Sequence, residues 1–437
     1  MLASLGSSCA DALLYLQKRI LEYAGALGRR EPLRVAVTSL DVGRAFDSAP
    51  FAAIVKSLLD LGAPEWLARV VLAWLRGRSQ FVEVDGARSR PFPVASGTPQ
   101  GAATSPTLYA ALTRAGLDLP FHPGATVITF ADDTLLARVI RKDHEEEDLA
   151  KSQADADLYT GFLASRGLVV NGGKTYRMML WMGATPGSVS RPLLVGGVAV
   201  KEVEELRYLG ILWDRRSNFT AHWSRVAASA KAAIAAIGSL VQWHGPALRH
   251  LVKERVIPLL LYSLLPCPPS NASTWEVVER IIRFCARRIL RVGREESGEQ
   301  LLTRAGLYSA GFLAARADIL YMRSCVVGGR RLGDFLELGS HPRLDAATAG
   351  PYVGARRQVE PPAPVPLSAR PFLVQPAPSN RYEGLNLPFA RKIALWNDFV
   401  LHLGARAAEV IGSRTELGFN IINFFADRPT LLRLSGD

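Results

Sequence analysis

Two adjacent aspartates, Asp132 and Asp133, interrupt the apolar, β-prone run from Thr126 to Val139. Strand-favouring residues on either side leave the pair at a tight turn. Aspartate forms turns readily, so an isolated pair of this kind reads first as a surface β-hairpin. A chemical reading needs further carboxylates from elsewhere, because two Mg²⁺ ions clamping a phosphoryl transfer take several hard oxygen ligands. The run Leu33–Asp41 supplies one, since its β-branched and apolar residues lead straight into Asp41. Two strands ending in carboxylates, side by side at one sheet edge, have the geometry that two-metal phosphoryl transfer requires.

The elements that must position these residues follow from hydrophobic period and punctuation. Ala10 to Leu27 reads as an amphipathic helix with Leu13, Leu14, Leu16, Ile20 and Leu21 on its apolar face. After Asp41 the chain turns. Ser48 and Pro50 then start a helix over Phe51 to Leu61, closed by Gly62. Pro64 opens another, with Trp66, Leu67, Val70, Val71 and Trp74 expected on the buried side. Ser79 to Val94 reads as a hairpin turning at Asp85-Gly86, and Gly97 to Gly101 as a loop. Thr104-Ser105-Pro106 is expected to cap a helix over Thr107 to Leu117. The acidic run His144 to Asp148 begins a long helix to Ser165, where negative charge complements the helix dipole. Gly167 ends it, and an apolar strand follows over Met178 to Trp181. This order implies an α+β fold: a split βαβ antiparallel sheet with helices on one face.

Val195 to Val200 and Leu206 to Leu212 suggest the two strands of a second hairpin, and from Phe219 about a hundred residues read as helical. There Arg280, Arg283, Arg287 and Arg291 recur at helical spacing opposite Ile281, Phe284, Cys285 and Val292, a face that could track a phosphate backbone or simply be solvated.

Charge and length bound the function class. The 437 residues suffice for two or three domains, and the net charge of +12 makes a polyanionic partner plausible. Much of that charge is arginine, which grips phosphate in a bidentate fork. The four cysteines are too scattered for a zinc site and too few for a disulfide framework, which favours a reducing, intracellular setting. No leader is evident, and the longest apolar run, Val256 to Cys267, is short and Pro-broken, so no membrane partner is expected.

Five segments together resemble the palm of a reverse transcriptase, specifically that of non-LTR (LINE-type) retrotransposons. They are Ser39 to Ser48 (SLDVGRAFDS), Gly97 to Pro106 (GTPQGAATSP), Phe130 to Asp133 (FADD), Gly167 to Thr175 (GLVVNGGKT) and Leu206 to Gly210 (LRYLG). The resemblance implies an RNA-directed DNA polymerase that extends a primer 3′-hydroxyl with dNTPs on an RNA template. Asp41 and Asp132 would be the principal ligands of two Mg²⁺ ions, Mn²⁺ being the alternative, with Asp133 a supporting carboxylate. Phe46 would lie under the sugar of the incoming nucleotide and exclude a 2′-hydroxyl. Val42, Gln100 and Gly101 would line the nucleotide site, and Lys174 would donate a proton to pyrophosphate. Tyr208, Leu209 and Gly210 would form the primer grip, and the arginine face a further nucleic-acid surface.

The same resemblance implies a division into a remnant of the fingers over 1–32, a palm over 33–194, a primer-grip hairpin over 195–216 and a helical thumb and post-thumb region over 217–335. A Pro/Gly-rich linker over 336–379 and a C-terminal helical segment over 380–437 would follow. About forty residues precede Asp41 where the family has a whole fingers subdomain, so an N-terminally truncated chain without fingers or endonuclease is expected. Arg391 to Asn397 is similar to the Arg…Trp-Asn signature near the end of some LINE proteins. Target DNA and a nuclear location follow from the family. Two alternatives stand beside this reading: a catalytically silent element copy that binds nucleic acid, and a palm-type RNA-directed RNA polymerase.

Overall fold

Strand β1 (Leu33–Asp41) is apolar on both sides, with Val35, Ala36, Val37 and Leu40 all buried, so it must lie at the centre of a sheet covered on two faces. In this computed structural model the described residues are 8–26, 33–182, 191–240, 245–269, 271–296 and 299–327, with 392–393, 395–400, 402–403, 411, 417, 420–421 and 424. They fall into two units, Met1–Ser217 and Asn218–Asp437. The expected linker over 336–379 lies outside the described residues.

The first unit opens with α1 (Cys9–Ala26) and β1, then α2 (Ala45–Ser48), α3 (Phe51–Asp60) and α4 (Glu65–Leu75). An arm of short strands follows: β2 (Ser79–Gln80), β3 (Glu83–Val84), β4 (Ala87–Arg88) and β5 (Phe92–Pro93). Its tip is the expected two-residue turn, with Asp85 at φ 51° and Gly86 at φ 80°. Next come α5 (Ser105–Thr113), β6 (Ala125–Phe130), β7 (Asp133–Val139), α6 (Glu145–Ser165) and β8 (Tyr176–Met182). Short strands β9 (Leu194–Val195), β10 (Val198–Ala199), β11 (Lys201–Glu202), β12 (Glu205–Tyr208) and β13 (Ile211–Asp214) close the unit, and the one hairpin expected here is two, β9 with β10 and β12 with β13, because Gly196-Gly197 and Leu209-Gly210 each turn the chain.

The main sheet has the order β11-β8-β1-β7-β6, with β1 antiparallel to both β7 and β8. Alternation along β1 sends Leu40 to one face and Asp41 to the other. On the Leu40 face, Leu40, Val127 and Leu136 pack with Leu112 of α5 and Tyr159 and Leu163 of α6, which is the expected helical layer. On the Asp41 face α1 adds cover, since Arg19 and Tyr23 hydrogen-bond the Thr126 hydroxyl, and Thr126 shares that face through Ala137 and Val37. Buried Val35, Val37, Ile128 and Leu135 line the same side and explain why it needs a helix of its own.

Helix α4 corrects the sequence expectation. Trp66, Val70 and Trp74 are 65%, 56% and 41% exposed, and Ala68 and Leu75 are the residues it buries. Glu65 and Arg69 set the apolar side of α4 toward Leu67, Val71 and Trp74, and the stripe that packs is turned from it toward Leu75 and Ala68, whose small side chain allows close approach.

The second unit is helical: α7 (Thr220–Leu240), α8 (Gly245–Leu251), a π-turn (Val252–Val256), α9 (Ile257–Leu264), α10 (Ala272–Leu290), α11 (Glu299–Ala305) and α12 (Ala310–Val327). Asn271 caps α10 by accepting from the Thr274 amide at 2.8 Å. In the C-terminal segment Trp396 is fully buried, and Lys392 forms a buried ion pair with Asp318 of α12. Arg391 lies outside the described residues. Among the described residues no helix is long and apolar enough to cross a membrane.

Candidate active site

Strand register brings the three aspartates to one end of the sheet. Asp41 and Asp133 are cross-strand partners in the β1–β7 ladder, and Phe130 pairs with Asp133, leaving Ala131 and Asp132 as a two-residue turn. Ala131 takes φ 53°, a left-handed conformation that costs an L-residue about 1 kcal/mol. The hairpin behind it is rigidly anchored: Arg138 of β7 binds the buried Asp155 of α6, and Thr134 meets the Tyr159 hydroxyl at 3.2 Å. Strain at the turn is therefore held by the surrounding packing.

Electrostatics at the hairpin follow from this crowding. Desolvation pushes the Asp133 carboxyl above its ordinary range, the Asp132 and Asp41 carboxylates push it further, and Arg207 opposes them. Tyr208 ends β12, followed by Leu209 at φ 45° and Gly210 at φ 77° in a tight turn. Its hydroxyl is buried without a hydrogen-bond partner among the described residues, and burial followed by the Asp133 charge drives its pKa strongly upward.

The backbone beyond Asp41 is pinned by the segment after α6. The Asn171 amide donates to the Asp41 carbonyl at 2.8 Å, the Gly43 amide to the Val169 carbonyl at 2.9 Å, and Val42 bridges Val170. Val42 is consequently buried. Lys174 is exposed and ends the short 3-10 turn Gly172–Lys174 directly before β8.

Phe46 and the Gly97 to Gly101 loop form a second cluster. The Phe46 ring lies against Tyr109 of α5, with centroids 4.9 Å apart and a tilt of 37°. The loop is latched to the Phe46 turn by main-chain bonds, Thr98 N to Phe46 O at 2.7 Å and Gly97 N to Ala49 O at 2.8 Å. Arg78 adds a pin by donating to Gly97 O at 2.6 Å and Leu75 O at 2.8 Å. Gly97 has φ +82°, and a Cβ there would stand 2.6 Å from Asp47 Cα. Only glycine fits so close an approach. Gly101 also has positive φ, +82°, with open space around it.

Two side chains here depart from sequence expectation. Ser105 begins α5 without capping it, and its hydroxyl donates to the Pro99 carbonyl at 2.6 Å, holding the loop that carries Gln100. Asp47, not among the expected site residues, accepts from Gln100 Nε2 at 3.0 and 3.2 Å. Only its place next to Phe46 in the Ser39 to Ser48 segment could have marked it.

The arginine face belongs to the second unit and is partly engaged. Arg280 pairs with Glu276, Arg283 lies near Glu276 and Glu279, and Arg287 donates to the Glu296 carbonyl at 3.0 Å. Arg291 stands beyond α10 as its left-handed C-cap. Ile281 and Cys285 are buried as expected, but Phe284 is exposed, with the Arg288 guanidinium 5.6 Å over its ring. Cation–π stacking at the surface replaces burial for this side chain.

Among the described residues no three His, Cys, Asp or Glu side chains are grouped closely enough to hold a metal ion as they stand. The donor set itself suits a hard dication, since Asp41, Asp132 and Asp133 offer only carboxylate oxygens. The upward pressure of its two neighbours on Asp133 is the imbalance a dication would relieve.

Residues 14–212 match the family model described as "Reverse transcriptase (RNA-dependent DNA polymerase)". The RNA-directed DNA polymerase from mobile element jockey of Drosophila melanogaster is 27% identical over 215 residues, covering 46% of this chain and 22% of that protein. The Retrovirus-related Pol polyprotein from type-1 retrotransposable element R2 of Popillia japonica is 25% identical over 326 residues, 68% of this chain and 42% of the polyprotein. This chain thus spans well under half the length of either relative. Among solved structures, apo telomerase from Candida tropicalis overlaps 76% of this chain and 57% of its own at 12% identity and a TM-score of 0.37. Over residues 14–212 the chain is thus similar to reverse transcriptases, among them those of the mobile element jockey and the type-1 retrotransposable element R2.

Proposed function

We propose that the chain is an RNA-directed DNA polymerase that extends a primer 3′-hydroxyl with dNTPs on an RNA template. The observation that carries this is the register pairing Asp41 with Asp133 beside the Asp132 turn, which puts three carboxylates at one sheet end. Asp41 and Asp132 would hold two Mg²⁺ ions, with Asp133 in support; such ions lower the pKa of the attacking hydroxyl and neutralise the triphosphate.

The chain's own residues supply the rest. Phe46, backed by Tyr109, lies under the nucleotide sugar, where its ring fills the space a 2′-hydroxyl would need. Gln100 and Gly101 contact the nucleotide, the glycine allowing close backbone approach. Val42 holds the backbone between Asp41 and Phe46. The Lys174 ammonium delivers a proton to the leaving pyrophosphate. Tyr208, Leu209 and Gly210 hold the primer end.

Supporting nucleic acid as partner are the net charge of +12 and the arginine face. Arg280→Ala should weaken primer–template binding and reduce the salt slope by about one, and an unchanged slope would place the duplex elsewhere. Insertion at chromosomal DNA would place the protein in the nucleus. The function is tested by primer extension: dNTP incorporation on a DNA-primed RNA template supports it. Preference for rNTPs would assign an RNA polymerase instead, and binding without extension a silent nucleic-acid-binding copy.

A further inference from the structure

We infer that Asp47 is a positioning residue for the nucleotide site: its carboxylate aims the Gln100 amide and fixes which end of that amide the nucleotide meets. The inference rests on the polymerase reading for its functional consequence, and on geometry for the contact itself.

Gln100 Nε2 lies 3.0 Å from Asp47 Oδ1 and 3.2 Å from Oδ2. A carboxylate at neutral pH only accepts hydrogen bonds, so the amino end of the glutamine must face it. The amide oxygen is thereby left as the free end, and the nucleotide meets an acceptor. Without Asp47 the amide could turn over and offer donors and acceptor indiscriminately.

The rest of the site makes this contact a matter of aim more than of folding. Both side chains are exposed, so neither contributes core packing. Their backbones are already joined independently, through Thr98 N to Phe46 O, Gly97 N to Ala49 O and Ser96 Oγ to Asp47 O at 2.8 Å. Asp47 also directly follows Phe46, so one turn carries both the ring under the sugar and the group that orients Gln100. Sugar discrimination and amide orientation are mechanically one unit.

The test is a set of variants assayed for dNTP KM and kcat by primer extension. Asp47→Ala should raise KM about tenfold, with kcat within about a factor of three and an unchanged melting temperature. Asp47→Asn, which can turn its carbonyl to the amide, should stay near wild type. Gln100→Glu should raise KM by placing two carboxylates together, and the swap Asp47→Asn with Gln100→Glu should restore it by exchanging donor and acceptor. A wild-type KM in Asp47→Ala, or a swap no better than Gln100→Glu alone, overturns the inference while leaving the polymerase reading intact. An arm without turnover separates the two: the Gln100 side-chain amide resonance, identified by its loss in Gln100→Ala, should shift in Asp47→Ala. If the wild type proves inactive the polymerase reading fails, and an unmoved resonance then overturns the contact as well.

Discussion

Asp41 and Asp133 sit directly opposite each other across the β1–β7 ladder, so two carboxylates of like charge occupy one cross-strand pair with Asp132 in the adjoining turn. Like charges in that position destabilise a sheet, and a fold keeps them only where something else is served.

That strain has a pH signature. The Asp133 carboxyl is raised by desolvation and by Asp132 and Asp41, so the folded chain takes up a proton at a pH where the unfolded chain does not. Stability should therefore fall as pH rises from the ordinary carboxylate range through the raised value, with the full cost present at neutral pH. Asp133→Asn should raise Tm by about 1–3 °C at neutral pH without divalent cation, because surface charge effects are modest. Added Mg²⁺ should stabilise the wild type more than this variant, as read by thermal melts with and without the ion. A lower Tm in the variant would contradict the charge-crowding account.

Phe46 packs on Tyr109, and the ring is the bulk that would exclude a 2′-hydroxyl. Phe46→Val should lower the preference for dNTPs over rNTPs by about 10- to 100-fold, with the loss falling on rNTP exclusion and not on dNTP incorporation. Competitive incorporation assays read this ratio. Undiminished selectivity would remove Phe46 from the sugar site.

Gly97 approaches the Phe46–Asp47 backbone so closely that an added Cβ would stand 2.6 Å from Phe46 O as well as from Asp47 Cα. Gly97→Ala should cost about 2–4 kcal/mol by forcing the loop off the turn, and should raise dNTP KM sharply. Denaturant unfolding followed by tryptophan fluorescence measures the stability term. A change below about 0.5 kcal/mol would show the loop to be free to move.

How much of this was legible in the sequence depended on distance along the chain. Asp41 and Asp132 stood out because apolar β-prone runs end in charge, a local contradiction that pattern alone exposes. The turn at Asp85-Gly86 was equally local, the glycine supplying positive φ, whereas Leu206 to Leu212 read as one strand and is itself a hairpin turning at Leu209-Gly210. Less visible was α1 on the Asp41 face, since its stripe shows that it packs and not where. Trp66, Val70 and Trp74 are exposed because tertiary packing buries the Ala68 and Leu75 stripe of α4, turned from the apolar side that Glu65 and Arg69 define. Ser105 resembled a helix cap by position, yet its hydroxyl serves the Pro99 carbonyl, a choice made by tertiary contact. The Asp47–Gln100 bond joins polar residues far apart in sequence, and polar pairs leave no periodic trace.

The central claim is that the paired carboxylates carry nucleotidyl transfer. It is tested most directly by Asp41→Asn, which keeps the size of the side chain and the β1–β7 register while removing one charge. With a DNA primer on an RNA template, dNTPs and Mg²⁺, the wild type should extend the primer and Asp41→Asn should fall at least about a hundredfold, with an undiminished melting temperature. Equal extension by both proteins would contradict the account.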